Sequence, residues 1–208
     1  MSDIKRIESL EEYPCADPQY VSRHTAFWVD QAIVYFEILN PEQAIIHCDK
    51  KILENSALLE EVIQEFRFYS YHITQFLNEQ HQLVKKFPSV ELTLVEINDL
   101  QPSQFYVNQE KILQCSGWIE NLHHLIIPVH PNTNFICDGH TRLYAALQKG
   151  FHKCYIYTAE ESGDYLLDFV KMARERNIFH VADLQPLSDS EYKALWWQFC
   201  DDYFAHKN

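Results

Sequence analysis

Apolar residues recur at spacings of three and four through Leu59, Val62, Ile63, Phe66, Tyr69, Ile73, Phe76 and Leu77, a period that predicts one long amphipathic helix fading before Pro88. Asn40-Pro41-Glu42-Gln43 reads as another helix start, with Asn as cap, Pro in the first turn and Gln three residues on. Two or three helices are therefore expected between about 19 and 87, after an irregular lead-in broken by Pro14 and Pro18. From 89 to 158 the pattern changes to strand, turn, helix, strand, turn, strand, helix, strand. Strands are predicted at 91–97, 126–129, 134–137 and 153–157, with one helix over 109–122 and another that follows Gly139 and ends by Gly150. The stretch 159–208 returns to helical spacing through Tyr165, Leu167, Phe169 and Met172, and Ser188-Asp189-Ser190-Glu191 opens a last helix carrying Leu195, Trp196, Phe199 and Tyr203.

The expected fold is α+β, with a small mixed β-sheet flanked by N-terminal and C-terminal helical extensions. Its parts are a helical region at 1–88, an α/β domain at 89–158 and a helical extension at 159–208 packed on the same core. Asp183-Leu184-Gln185-Pro186 echoes Asp99-Leu100-Gln101-Pro102, but four shared residues read as two similar turns rather than a repeat.

Composition narrows the partners. A chain of 208 residues at 47% hydrophobic content can bury a substantial core, and its formal net charge of −13 repels a phosphate backbone, which makes nucleic acid an unfavoured partner. No apolar run reaches the ~20 residues of a membrane span, and the polar start Met1-Ser2-Asp3-Ile4 has no signal-peptide core, so a cytoplasmic protein is expected. The six cysteines (Cys15, Cys48, Cys115, Cys137, Cys154, Cys200) are scattered and read as free thiols. His123, His124 and His130 match no standard zinc spacing, and no metal site is assigned.

The chemistry concentrates at 134–150. A short apolar run, Phe135-Ile136-Cys137, delivers Asp138-Gly139-His140-Thr141-Arg142 to a helix start, where backbone N–H groups lack intrahelical partners and the peptide dipoles favour an anion. Arg142 can clamp phosphate through its forked guanidinium or pair with a neighbouring carboxylate. Gly139 suits a close backbone approach or a positive φ. Thr141 can cap the helix or donate to a phosphate oxygen. His140 can bind phosphate, carry a proton or simply hydrogen-bond at the turn. Asp138 would oppose an anion unless it holds a divalent cation, orients His140 or, the favoured reading, braces the turn.

This ordered series resembles the ParB and sulfiredoxin superfamily. Beyond the turn itself, Glu96-Ile97-Asn98-Asp99-Leu100-Gln101-Pro102-Ser103 is similar to its opening strand and Leu-x-Pro turn, Leu125-Ile126-Ile127-Pro128-Val129 to its Pro-Ile-x-Val strand, and Gly150-Phe151-His152-Lys153-Cys154-Tyr155-Ile156 to its closing strand. The likeness covers about a third of the chain, and the closest turn, Asp-Gly-His-His-Arg, is that of the free-serine kinases. It implies nucleotide or phosphate binding at Asp138, Gly139, His140, Thr141 and Arg142, with magnesium as an accompanying ion, and small-molecule phosphotransfer or NTP hydrolysis if the protein is an enzyme.

Departures from the family restrict the activity. The sulfiredoxin cysteine position holds His140, which disfavours sulfinic acid reduction. No basic helix-turn-helix follows the domain, and no carboxylate cluster suggests a metal nuclease. The kinases' general-base Glu is replaced by Gln104, which cannot accept a proton and leaves Glu96 and Glu110 as the nearest carboxylates and His140 as the remaining candidate. The alternative to an enzyme is a non-catalytic ligand-sensing or protein-interaction module that keeps the fold. The aromatic run Phe66-Arg67-Phe68-Tyr69-Ser70-Tyr71 favours helix-to-helix burial or a homo-oligomer.

Overall fold

The computed structural model describes residues 3–159, 163 and 165–207, so the polar start at Met1 and Ser2 lies outside the described residues. The chain is mixed α+β and divides into two compact units, Met1–Glu91 and Leu92–Asn208. Among the described residues no helix is long and apolar enough to cross a membrane.

The first unit corrects the expected helical region 1–88. It holds strands β1 (Ile4–Arg6), β2 (Ala26–Val29), β3 (Ala32–Asn40), β4 (Gln43–His47), β5 (Gln75–Leu77) and β6 (Leu83–Lys86), in that spatial order. Helix α1 (Pro18–Ser22) precedes β2, and α2 (Lys50–Glu54) and α3 (Ser56–Tyr69) form the crossover between the parallel pair β4 and β5. The helical reading failed at Asn40. Its side-chain oxygen accepts from the N–H groups of Glu42 and Gln43, which is the chemistry of an N-cap put to use in a hairpin between β3 and β4. The β2–β3 hairpin turns on Asp30 and Gln31, both at positive φ, without the glycine that would have announced it.

Helix α3 forms where expected but stops at Tyr69 instead of continuing to Leu77. Its stripe of Leu59, Val62, Ile63 and Phe66 packs on the sheet face carrying Phe27, Phe36 and Phe76. Ile73 and Phe76 prolong the three-and-four spacing only because a loop and β5 bring them to the same core.

In the second unit a mixed sheet runs β7 (Thr93–Glu96), then β10 (Lys153–Thr158), then β9 (Ile126–Val129). β7 is antiparallel to β10, and β9 is parallel to it through α5 (His140–Gln148). β8 (Tyr106–Asn108) leads into α4 (Gln109–Trp118), which ends four residues before the predicted boundary. The strand predicted at 134–137 is reduced to two bridges, Phe135 with Gln101 and Ile136 with Val129. Further on, α6 (Tyr165–Glu175) is followed by β11 (Gln185–Leu187), parallel to β8, and by α7 (Asp189–Tyr192), a π-helical stretch Lys193–Trp197 and α8 (Gln198–Ala205).

The two Leu-Gln-Pro turns face each other. Each follows a single 3-10 turn, Ile97–Asp99 and Val181–Asp183, each buries its leucine, and the His180 ring bonds the Asn98 carbonyl at 2.9 Å. The first turn also carries Gln101 and Ser103, which reach the candidate site.

Candidate functional site

Gly139 heads α5 at φ 93°, a left-handed conformation, and a Cβ there would sit 2.7 Å from Ile127 Cδ1. Both facts call for glycine. Leu143 donates the first helical bond, to the Gly139 carbonyl at 2.9 Å, so the amides of His140, Thr141 and Arg142 have no acceptor within the helix. Helices α1, α3, α4 and α7 each receive a side-chain cap, whereas Gly139 supplies none.

His140 is buried at 2% exposure and fastens this turn to the first Leu-Gln-Pro loop. Its Nε2 accepts the Ser103 backbone N–H at 3.0 Å, while Ser103 Oγ donates to the Ile136 carbonyl at 2.8 Å. An acceptor at Nε2 puts the proton of the neutral ring on Nδ1, and Nδ1 is buried with no hydrogen-bond partner among the described residues. Burial pushes the imidazole down to about 4, against the opposing pull of the Asp138 carboxylate. The group is therefore neutral at physiological pH and cannot serve there as a proton donor in imidazolium form.

That depression carries a stability consequence. Between about 6.5 and about 4 the unfolded chain binds a proton that the folded imidazole refuses. Stability present above pH 6.5 is lost as the pH falls, by on the order of 3 kcal/mol in total. Urea unfolding of His140→Gln should accordingly show a shallower decline from pH 7 to pH 4 than the parent protein. Identical slopes would show that His140 does not resist protonation.

Arg142 takes a different position from a free phosphate clamp. Its Nη1 donates to the Ile126 carbonyl at 3.2 Å, and the guanidinium lies 5.9 Å from the Trp118 ring on α4, whose indole Nε1 is buried without a partner among the described residues. Thr141 is half-buried and Asp138 exposed at the mouth of the turn.

The carboxylates singled out for catalysis are not brought to the turn. Glu96 is exposed on β7 and pairs with Lys153 of β10 at 3.3 Å, as their register requires. Glu110 is exposed in the first turn of α4, whose amides are capped by Asn108. Among the described residues neither bonds to residues 138–142. Cys137 does not replace the missing sulfiredoxin cysteine, since burial first and Asp138 second push its thiol up to about 12. No three His, Cys, Asp or Glu side chains gather as a metal site among the described residues.

Sequence reasoning missed Ser103, the residue that His140 grips, and Gln101, whose side chain bonds the Pro102 and Ile178 carbonyls and accepts from Arg174. It also missed a cleft of about 270 Å3 beside the turn, walled by Phe169, Trp196, Cys137 and Cys200, with Gln104 at its edge. Only the tertiary fold joins residues so far apart in the chain.

No family model and no curated protein matches the chain. A solved structure, protein Atu1540 from Agrobacterium tumefaciens, is similar over 46% of this chain and 62% of that one, at 18% identity and a TM-score of 0.33, which is too low to assign a fold.

Proposed function

We propose that the second unit is a ParB/sulfiredoxin-like module that binds a nucleotide or another phosphorylated small molecule at Asp138–Arg142, and that it holds this ligand without turning it over. The observation that carries the reading is the start of α5. Three amides without helical acceptors follow a glycine held at φ 93°, and among the described residues no side chain caps them and the neighbouring buried imidazole keeps an unpartnered Nδ1. The order of β7, the Leu-Gln-Pro turn, β9, the Gly-His-Thr-Arg turn, α5 and β10 supports the resemblance.

Binding is favoured over phosphotransfer or NTP hydrolysis because, among the described residues, no general base stands at the turn. Gln104 occupies the family's Glu position, Glu96 is engaged with Lys153, and His140 is buried. A magnesium ion accompanying the nucleotide would find Asp138 as its exposed carboxylate at the turn.

The test is calorimetric titration with phosphate, pyrophosphate and nucleotides, with and without magnesium, while the amide resonances of residues 139–142 are followed by NMR. Saturable binding that moves those amides is expected, with no phosphate release. Asp138→Asn should tighten magnesium-free binding about fivefold by removing a like charge. If no anion moves residues 139–142 of the folded protein, the site does not exist.

The exposed side of α3 favours the protein-interaction reading for the first unit. Phe68 is 81% exposed and stacks edge-on against Tyr69, an aromatic pair suited to a homo-oligomer contact. Sedimentation equilibrium should give a larger species for the parent chain than for Phe68→Ser. Equal masses would remove this contact.

A further inference from the structure

A groove along α6 brings an oriented cation beside exposed apolar side chains. Leu167, Lys171, Arg174 and Glu175 of α6 line it together with Phe135 and Phe179. Its volume of about 480 Å3 lies within the ~300–1,000 Å3 of small-molecule sites. The apolar surface is open to a guest, since Leu167 is 45% exposed and Phe179 47%, and among the described residues no aromatic ring packs on Phe179.

Arg174 is oriented before any guest arrives. Its Nε donates to Gln101 Oε1 at 2.9 Å. Gln101 is only 4% exposed, and its Nε2 donates to the Pro102 and Ile178 carbonyls at 3.0 Å each, so the carboxamide cannot turn its oxygen away. The guanidinium also stands 5.2 Å from the Phe135 ring. A bond at Nε leaves the Nη1 and Nη2 edge, which among the described residues donates to nothing and pairs with no carboxylate. Acids outnumber bases 30 to 17 in the chain, yet none of the described ones closes this edge. A forked donor fixed in advance is complementary to a carboxylate and loses little side-chain freedom on receiving one.

The neighbouring charges set the valence of the ligand. Lys171 stands one turn before Arg174, and the acid one turn before it, Asp168, is engaged by Tyr203 and Lys207. Glu175 follows Arg174 and offsets the charge of Lys171. The single charge of Arg174 is left, which matches a monoanion better than a phosphate dianion.

We infer that this groove binds a small amphipathic monocarboxylate, with the carboxylate on the Nη1 and Nη2 edge of Arg174 and the chain or ring laid along Phe135, Leu167 and Phe179. Gln101 is then a positioning residue, which aims the guanidinium without touching the ligand. None of residues 138–142 lines the groove, so this site and the anion site stand or fall separately.

The test titrates the full chain with octanoate and 3-phenylpropionate, with octanamide and 3-phenylpropanamide as uncharged counterparts. The amide resonances of Phe135, Arg174 and Phe179 and the Arg174 Nε–H resonance report the site. Expected is saturable binding of at least one carboxylate that moves these signals, with its amide about tenfold weaker. Arg174→Gln should weaken that carboxylate about tenfold. Because this variant also leaves Gln101 Oε1 without its donor, Phe179→Ser provides a second measure: it changes a half-exposed ring and should weaken binding about fivefold with the fold intact. The inference is overturned if neither carboxylate moves these resonances up to its solubility limit, if an amide binds as tightly as its acid, or if either variant binds as tightly as the parent chain. Shifts confined to residues 139–142 would overturn it as well, by placing the carboxylate at the start of α5. Failure in the groove leaves the anion reading, which is tested with phosphate and nucleotides, untouched.

Discussion

Phe66→Ala is expected to destabilise the first unit by about 3–5 kcal/mol, the usual cost of deleting a fully buried phenyl ring together with the cavity it leaves. Phe66 is 0% exposed and sits at the centre of an aromatic cluster. It stacks on Phe36 at 4.1 Å and 10°, and meets Phe76 edge-on at 5.9 Å and Phe27 at 6.4 Å. No side chain can slide in to replace it, because Val62 and Ile63 occupy the adjacent turn of α3 and already face the same sheet. With native stability commonly ~5–15 kcal/mol, the loss removes much of the margin. Two residues along, Phe68 is 81% exposed, and its alanine variant should cost less than about 0.5 kcal/mol. Urea unfolding of the two variants measures the contrast. A loss below about 1 kcal/mol for Phe66→Ala would mean that α3 does not pack on β2, β3 and β5 through this face.

The same residues explain what could be read in advance. Helix α3 was legible because its apolar stripe contrasts with the charged Glu60, Glu61 and Glu65. The strands before it were not, because Ile33, Val34, Tyr35 and Phe36 are apolar on successive positions, which hides a period of two. Both sheet faces are covered there, Val34 and Phe36 by α3 and Tyr35 by Tyr20, so burial erased the alternation. In the second unit, strands β9 and β10 bury residues between clear turn signals and fall close to their predicted places. The turn at 138–142 was legible for a local reason, a glycine breaking an apolar run just before helical spacing resumes. Its partners were not, since the bond from Ser103 to His140 spans 37 residues, and the choice of Arg142 to bond the β9 carbonyl depends on where the helix comes to rest. Residue types indicate which chemistry is available, whereas the direction of a side chain is decided by packing.

Gly139→Val is expected to cost about 2–6 kcal/mol and to unfold much of the second unit, from two separable causes. A non-glycine residue held at a positive φ costs ~1–3 kcal/mol, and a β-branched one lies at the upper end because its second methyl crowds the adjoining peptide. The new Cβ would also stand 2.7 Å from Ile127 Cδ1, the end of a side chain that is fully buried on β9 and must shift within the core to make room, which adds a further ~1–3 kcal/mol of overpacking. Ile127→Val distinguishes the two. It deletes the clashing methyl at a cost of ~0.5–1.5 kcal/mol by itself. In the double variant the clash is relieved while the backbone strain persists, so the combined loss should fall short of the sum of the single losses by the overpacking share. Strict additivity in urea unfolding would assign the whole cost to backbone strain. A Gly139→Val variant within about 1 kcal/mol of the parent would show that the chain does not hold the left-handed turn, and the amides of His140, Thr141 and Arg142 would then have no fixed direction in which to receive an anion.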